Sequence, residues 1–281
     1  MNPGYQTTKE LRSTLSLGRD DGQHRLYLLP AGTRDRLPPV QKMRHGLMNL
    51  HWPRNLEENP VCTDENSYNA MLNRARKRGV NPATIVDLGS SDGRWSDMAR
   101  GVWPDAKLLL IDANPVHEPG ARVFCARAGA KFVLALAGAN VGTQHVRFNT
   151  TDPFQGIDAQ HGGEPVPVTT VDVEVARLNL PAPYLVKFDT HGHEAAILEG
   201  ALGVMAKACA VAMEVYLFEP CPGAALMPDM CRRLERFGLR ASDLCEPLRR
   251  PLDERLYQVD MLFERIEATG MRTGGYFTDA G

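Results

Sequence analysis

The chain has 281 residues, with 32 basic and 34 acidic side chains and a formal net charge of -2. Hydrophobic residues make up 43% of it, which is enough for a buried core and excludes an intrinsically disordered chain. The near-neutral charge gives no electrostatic reason to expect nucleic acid or an anionic membrane as a partner.

The cysteines and the apolar runs exclude several further classes. None of the six cysteines is spaced as Cys-x-x-Cys, so neither a zinc site nor a thioredoxin-type motif is indicated. No apolar run reaches the length of about 20 residues that a membrane span requires. Residues 1–11 are polar and lack the apolar core of a signal peptide. We therefore expect a cytoplasmic protein with reduced cysteines and no resident metal ion.

Three parts are expected along the chain. Residues 1–60 are rich in Pro, Gly, Arg and His, and only residues 24–30 resemble a strand. This N-terminal extension is interpreted as a substrate lid, a dimer arm or a partly disordered lead-in, and the sequence does not choose among them. Residues 61–267 form the main domain, and residues 268–281 form a flexible tail.

The first element of the main domain is a predicted helix at residues 64–78. Asp64 is suited to cap its start, and Gly79 is suited to close its end. Four of the five residues at 74–78 have basic side chains. Because cations complement a helix C-terminus, this favours a solvated helix end over a patch for an anionic substrate.

From residue 84 onward, short apolar runs alternate with helical stretches. The runs that predict strands are residues 83–88, 107–112, 131–137, 184–189 and 209–217. Helices are predicted at residues 94–102, 194–207 and 228–237. A final strand at 256–264 follows a strand-like segment near 239–244 without a clear helix between them. This order predicts a doubly wound, mostly parallel α/β sheet that ends in an antiparallel hairpin.

The strongest local signal is the sequence VDLGSSDG at residues 86–93, which ends the first strand and opens a helix. Gly89 and Gly93 permit tight turning and close approach of a ligand, with Ser91 between them. The loop lacks the G-x-G-x-x-G pattern that seats a pyrophosphate. A carboxylate at Asp87 would repel a pyrophosphate and suits a ligand with an amino group and a sulfonium. The loop therefore favours S-adenosylmethionine over a nicotinamide dinucleotide.

The ends of the second and third strands extend this predicted cofactor site. Asp112 lies 25 positions after Asp87, near the spacing at which an acidic residue binds ribose hydroxyls. Asn114 follows in the same turn, and the alternative is that Asp112 serves only that turn. Ala135, at the end of the third strand, is expected near the adenine.

Polar and titratable side chains cluster directly after the fourth strand: Lys187, Asp189, His191, His193 and Glu194. If a hydroxyl is methylated, a base must take its proton, and histidine suits that role at neutral pH. His191 and His193 are the candidates. Asp189 is expected to orient a histidine, position the donor's amino group or hold a divalent metal. Glu194 is either catalytic or a simple complement to the helix dipole.

Three segments together resemble the FkbM-type S-adenosylmethionine methyltransferases. They are residues 86–93, residues 184–201 with a K-x-D-x-x-G-x-E core, and a C-terminal part with Glu214 and residues 259–263. Residues 169–172 are also similar to a short family segment. The resemblance covers roughly residues 62–266. It implies a Rossmann-like class I methyltransferase fold with a seven-stranded sheet, and O-methylation of a natural product or sugar.

The expected partner is a small-molecule or glycan acceptor, with no nucleic acid and no membrane. Whether the chain forms a homodimer is left open. Three alternative functions stay open as well. They are a nicotinamide-dependent oxidoreductase, a metal-dependent O-methyltransferase that uses Asp189 and a second carboxylate, and a non-catalytic protein that binds a partner through residues 1–60.

Overall fold

The computed structural model describes residues 64–149 and 162–267, together with two strands near the N-terminus. These strands, β1 (Thr14–Asp20) and β2 (Gln23–Leu29), form an antiparallel pair. The sequence predicted only the second of them, although leucines alternate with small polar residues in the first. The rest of the predicted extension and the predicted tail lie outside the described residues.

The chain divides into two compact units, Met1–Trp52 and Pro53–Gly281. The helices of the second unit are α1 (Tyr68–Lys77), α2 (Arg94–Val102), α3 (Glu118–Ala128), α4 (Val171–Arg177), α5 (Glu194–Glu199), α6 (Leu202–Ala206) and α7 (Met227–Glu235). Its strands are β3 (Thr84–Leu88), β4 (Lys107–Asp112), β5 (Lys131–Leu134), β6 (Leu136–Ala137), β7 (Gly142–Val146), β8 (Glu164–Thr169), β9 (Tyr184–Phe188), β10 (Ala208–Tyr216), β11 (Leu239–Arg249) and β12 (Leu256–Arg265). Among the described residues, no helix is both long and apolar enough to cross a membrane.

Seven strands form one sheet in the order β11-β12-β10-β9-β3-β4-β5. The five strands from β10 to β5 in that order are parallel, whereas β12 runs antiparallel to both β10 and β11. The prediction of a mostly parallel, Rossmann-like sheet with a C-terminal antiparallel hairpin is confirmed. The chain runs from β3 outward to β5 and then returns to β9 on the other side of β3. The strand order therefore reverses between β3 and β9, which is where ligands bind in open α/β sheets.

Both faces of the sheet are buried, as parallel strands require. Successive side chains of a strand point to opposite faces. Val86 and Leu88 thus pack in a core that also contains residues of helices α4 to α7, whereas Ile85 packs in a second core with residues of α1 to α3. The result is a three-layer arrangement in which helices cover the sheet on both sides.

The predicted strand at residues 131–137 is wrong as a single element, because the backbone divides at Ala135. β5 stays in the large sheet, whereas β6 joins a small sheet in the order β6-β8-β7. The Ala135 N–H donates to the Asp112 carbonyl at 2.9 Å, after which Leu136 pairs with Val168. The strands β7 and β8 and the helices α3 and α4 were not predicted.

Two predicted helices also differ from those observed. Asp64 begins a short 3-10 helix, and the N-cap of α1 is Ser67, whose hydroxyl accepts from the Ala70 N–H at 3.2 Å. The predicted helix at 194–207 divides into α5 and α6 at Gly200. A Cβ at Gly200 would lie 2.1 Å from the Gly138 carbonyl oxygen, and the Asp172 carboxylate caps the start of α6.

Candidate functional site

The loop after β3 is anchored to both neighbouring strands by its backbone. The N–H groups of Gly89 and Ser90 donate to the Ile111 carbonyl of β4, at 2.9 Å and 3.3 Å. On the other side, a Cβ at Gly89 would lie 1.9 Å from the Asp189 carbonyl oxygen, and Gly89 has φ +71°. Only glycine fits there, because the backbones after β3 and β9 touch. The loop is therefore fixed at the point where the strand order reverses.

Asp112 lies against this loop with both carboxylate oxygens engaged by backbone groups. The Ser91 N–H donates to Oδ2 at 2.7 Å, and the Asn114 N–H donates to Oδ1 at 2.8 Å. Burial raises the pKa of Asp112, and His117 and these two N–H groups offset part of that rise. A carboxylate has about four acceptor positions, so these two N–H groups do not use all of them. The turn role and the predicted ribose role are thus compatible.

Gly93 and Ala135 serve as packing positions beside Asp112. Gly93 is the N-cap of α2, and a Cβ there would lie 2.6 Å from the Phe124 ring of α3. Ala135 is buried and is joined to Asp112 through the backbone hydrogen bond described above. The predicted cofactor residues of β3, β4 and β5 therefore do come together at one edge of the sheet.

Asp87 belongs to a buried ion pair. Its side chain is 0% exposed, and its Oδ2 accepts from the Ser96 hydroxyl at 2.7 Å. The Lys187 Nζ lies 3.6 Å from Oδ1, because Asp87 and Lys187 are register partners on β3 and β9. Burial raises the pKa of Asp87, and the Lys187 charge and the Ser96 hydroxyl offset part of that rise. Direct contact between Asp87 and a ligand stays a prediction.

The second part of the site is a network of side chains at the ends of β9 and β10. Lys187 Nζ donates to Asp189 Oδ2 at 2.8 Å, and Asp189 Oδ1 lies 3.6 Å from His191 Nε2. On the other side of the imidazole, His191 Nδ1 lies 2.9 Å from the Tyr216 hydroxyl and 3.4 Å from Glu214 Oε2. Although burial lowers the pKa of Lys187, the charges of Asp189 and Asp87 raise it above its usual value.

Glu214 is the buried centre of this network. The Tyr216 hydroxyl donates to Oε2, and the Gln258 amide of β12 donates to Oε1. Burial, followed by the charge of Asp189, raises the pKa of Glu214 to about 8. Burial and the Glu214 charge also raise the pKa of the Tyr216 hydroxyl.

The sequence did not predict the roles of Tyr216 and Gln258. One signal was available, because Glu214 and Tyr216 are polar residues on the same face of an otherwise apolar strand.

Glu194 shapes the loop that carries His191. Its side chain is 2% exposed, and its Oε1 accepts from the Gly192 N–H and the Thr190 hydroxyl, each at 3.0 Å. His191 itself has φ +52°, in the left-handed region that few non-glycine residues adopt. The carboxylate of Glu194 therefore fixes a tight turn that places the imidazole over β10.

His193 has different surroundings from His191. It lines a cavity of about 400 Å³, together with Ala196 of α5, Val168 of β8, and residues 136–140 and 142–144. This cavity lies between α5 and the small sheet, whereas His191 lies beside Glu214. The structure thus separates the two histidines that the sequence treated as equivalent candidates.

No family model matches the chain, and no curated protein matches it. Among solved structures, it is similar to methyltransferase FkbM from Methylobacillus flagellatus KT, with 16% identity, a TM-score of 0.44, and coverage of 63% of this chain and 43% of that one. It thus spans less than half the length of that protein. It is also similar to the O-methyltransferase TomG from Streptomyces achromogenes, crystallised with S-adenosylmethionine, with 16% identity, a TM-score of 0.39, and coverage of 70% and 78%.

A third similar structure is precorrin-6y C5,15-methyltransferase from Geobacter metallireducens GS-15, with 11% identity, a TM-score of 0.40, and coverage of 72% of this chain and 92% of that one. All three TM-scores lie below 0.5, so none of these neighbours supports a statement about this chain. The resemblance to the FkbM-type family stays a prediction, and the activity is inferred from the residues of the chain itself.

Proposed function

We propose that the chain is an S-adenosylmethionine-dependent methyltransferase that methylates a hydroxyl group on a small-molecule natural product or a sugar. One observation carries this proposal. Where the strand order reverses, the Ser91 N–H of the glycine-containing loop donates to the Asp112 carboxylate. A network of titratable side chains lies at the end of β9, the strand that pairs with β3 on its other side. Such an edge suits two ligands, a donor that carries a nucleoside and an acceptor that reacts with it.

The charge of the site supports a cationic donor. Asp87, Asp112 and Asp189 all lie at the carboxyl ends of β3, β4 and β9, and Lys187 is already paired with two of them. S-adenosylmethionine carries a sulfonium and an amino group, which carboxylates attract, whereas a nicotinamide dinucleotide carries a pyrophosphate, which they repel. Asp112 would accept hydrogen bonds from the ribose hydroxyls, and the loop at Gly89 and Ser91 would lie against the rest of the donor.

Methyl transfer requires alignment more than covalent catalysis. The acceptor oxygen attacks the methyl carbon, the new O–C bond forms as the C–S bond breaks, and the electron pair goes to sulfur, giving S-adenosylhomocysteine. Holding the two reactants in line supplies much of the rate. The hydroxyl proton must also leave, and a nearby base accelerates that step.

His191 and His193 are the two base candidates. In the hydrogen-bonding pattern observed, the Tyr216 hydroxyl donates to Glu214, so its oxygen can accept from the Nδ1–H of His191. The Nε2 atom of His191 is then the basic nitrogen, 3.6 Å from Asp189. His193 would act instead on an acceptor bound in the neighbouring cavity. Glu194 would act indirectly, through the turn that it fixes.

The test is calorimetric titration of the protein with S-adenosylhomocysteine, NADH and NADPH. We expect micromolar binding of S-adenosylhomocysteine alone. Asp112→Ala should weaken it about 10- to 100-fold, because a hydrogen bond to a charged group contributes about 1.5–3 kcal/mol. Asp105→Ala, which removes an exposed carboxylate just before β4, is the matched control and should leave the affinity unchanged. Binding of a nicotinamide dinucleotide, or equal affinities in both variants, would contradict the proposal.

A further inference from the structure

We propose that Tyr216 and Glu214 are positioning residues that make His191 the base of the methyl transfer. They hold the imidazole with its proton on Nδ1, so that Nε2 takes the proton of the acceptor hydroxyl. The use of Nε2 as a base rests on the proposed function, whereas the orientation of the ring and the place of its proton do not. His193 then has no part in the proton transfer.

Three side chains form a hydrogen-bonded row that ends on His191. The Gln258 amide of β12 donates to Oε1 of Glu214, and the Tyr216 hydroxyl donates to Oε2. The Tyr216 oxygen lies 2.9 Å from Nδ1 of His191. Glu214 and Tyr216 lie on one face of β10, and Gln258 is the register partner of Tyr216 on β12. Two paired strands of the sheet therefore fix the geometry of the row.

The chemistry of these groups gives the row a direction. An ionised carboxylate can only accept hydrogen bonds, so both partners of Glu214 donate to it. Burial, followed by the Glu214 charge, raises the pKa of Tyr216, which therefore keeps its single hydroxyl proton. Because that proton points to Glu214, the Tyr216 oxygen accepts from His191. The hydrogen bond at one ring nitrogen sets the tautomer of a histidine, so Nδ1 carries the proton and Nε2 carries the lone pair.

The other end of the ring is the one that an acceptor can reach. Nε2 lies 3.6 Å from Oδ1 of Asp189, which is too long for a good hydrogen bond. The His191 side chain is 32% exposed, whereas Tyr216 and Glu214 are buried behind Nδ1. Nδ1 thus points into the protein, and Nε2 points toward the end of β9, where the donor and the acceptor would meet.

The backbone holds the ring in this place independently of the row. His191 has φ +52°, a conformation that few non-glycine residues adopt and that is concentrated at functional sites. The Glu194 carboxylate accepts from the Gly192 N–H and closes the turn. The turn sets the position of the imidazole, and the row sets which of its nitrogens carries the proton.

The proton transfer needs no group beyond the donor, the acceptor and His191. As the acceptor oxygen bonds to the methyl carbon and the C–S bond breaks, the hydroxyl proton moves to the lone pair of Nε2. The imidazolium that forms lies between two carboxylates, with Asp189 Oδ1 3.6 Å from Nε2 and Glu214 Oε2 3.4 Å from Nδ1. Opposite charges at this range favour the charged form. The proton then leaves Nε2 for water.

The test is ¹⁵N NMR of the full chain, labelled at its histidines, at about pH 9. The pKa of Glu214 is raised to about 8, so Glu214 is then ionised, and the imidazole is neutral. His191→Asn identifies the His191 signals, since asparagine tolerates a positive φ. The ¹⁵N shifts show which nitrogen carries the proton. We expect Nδ1–H in wild type, and Nε2–H there would overturn the inference without the use of any other variant.

Two further variants test the row itself. Tyr216→Phe removes the oxygen that accepts from Nδ1, and Glu214→Gln replaces a group that only accepts with an amide that can also donate. In both, the single tautomer of wild type should become a mixture in which Nε2–H is populated. Tyr184→Phe is the matched control, because it removes a hydroxyl that donates to the Leu180 carbonyl at the opposite end of β9. An Nδ1–H population that is equal in wild type and all three variants would overturn the row.

Titration of the same samples with S-adenosylhomocysteine separates this inference from the proposed function. Binding of S-adenosylhomocysteine, together with an unchanged tautomer in Tyr216→Phe, overturns the positioning role and leaves the methyltransferase proposal standing. A tautomer that depends on Tyr216, without binding of S-adenosylhomocysteine, supports the row and overturns the proposed donor.

Discussion

The two halves of the candidate site are built in different ways. Beside β3 and β4, the contacts come mainly from the backbone, since N–H groups of Gly89, Ser90 and Ser91 tie the loop to β4 and to Asp112. Beside β9 and β10, they come mainly from side chains, with His191 between Asp189 and the Glu214–Tyr216 pair. The first half depends on the backbone conformation of the loop, with positive φ at Gly89 and Ser91, whereas the second depends on the identity of each side chain.

This contrast suits two ligands with different demands. A common donor needs the same surface in every reaction, and backbone groups in a fixed loop provide it. An acceptor and its proton need titratable groups that can differ from one enzyme to another. Lys187 belongs to both halves, because its ammonium lies near Asp87 on one side and binds Asp189 on the other.

The largest effect is therefore expected for Lys187→Met, which removes the cation that the two halves share. Lys187 is buried, and its loss removes the ammonium that pairs with Asp87 and Asp189. Removing one member of a buried ion pair costs about 3–5 kcal/mol. Urea unfolding at neutral pH should show that loss, whereas Lys207→Met, at an exposed helix end, should change stability little. Similar losses in both variants would mean that the ion pair is solvated.

A second prediction concerns the contact between the two backbones. Gly89→Ala should destabilise the protein by about 3 kcal/mol or more, since its Cβ would lie 1.9 Å from the Asp189 carbonyl and its φ is positive.

Gly129→Ala is a matched control for Gly89→Ala, because Gly129 has φ +68° with nothing within 4 Å of its Cβ. Gly129→Ala should lose only about 1–2 kcal/mol of stability, which is the cost of the left-handed conformation for an alanine. Thermal unfolding of both variants separates close packing from backbone strain. Equal losses would show that the two strand ends can move apart.

The backbone-built half was the easier one to predict from the sequence. Buried parallel strands appear as short apolar runs, so the ends of β3 and β4 could be located to within a residue or two. Once the strands are placed, Asp87 and Asp112 must lie at one edge of the sheet. The break at Ala135 was missed, because it depends on a hydrogen bond to Asp112 and on pairing with β8, which lies about 30 residues further along the chain.

The cluster after β9 was predicted, but its contacts with Tyr216 of β10 and Gln258 of β12 could not be, because non-local register creates them. Gln258 reaches Glu214 only since β12 inserts beside β10, and 44 residues separate the two in sequence. The different surroundings of His191 and His193 likewise depend on the turn conformation at His191. A sequence pattern places residues on strands and faces, but it does not set which strand becomes the neighbour.

The remaining effect concerns pH, and it tests whether Glu214 is as buried as the network requires. Its pKa is raised to about 8, so the folded chain holds a proton on Glu214 that the unfolded chain has already lost above about pH 4.5. Stability should therefore fall as pH rises from about 5 to 8, by at least the 1.4 kcal/mol or so that one pKa unit represents. Glu214→Gln removes this proton and should flatten that part of the profile, while Glu199→Gln should not. Urea unfolding at about pH 5 and about pH 8 measures the difference in stability. Parallel profiles for wild type and Glu214→Gln would place Glu214 in contact with water.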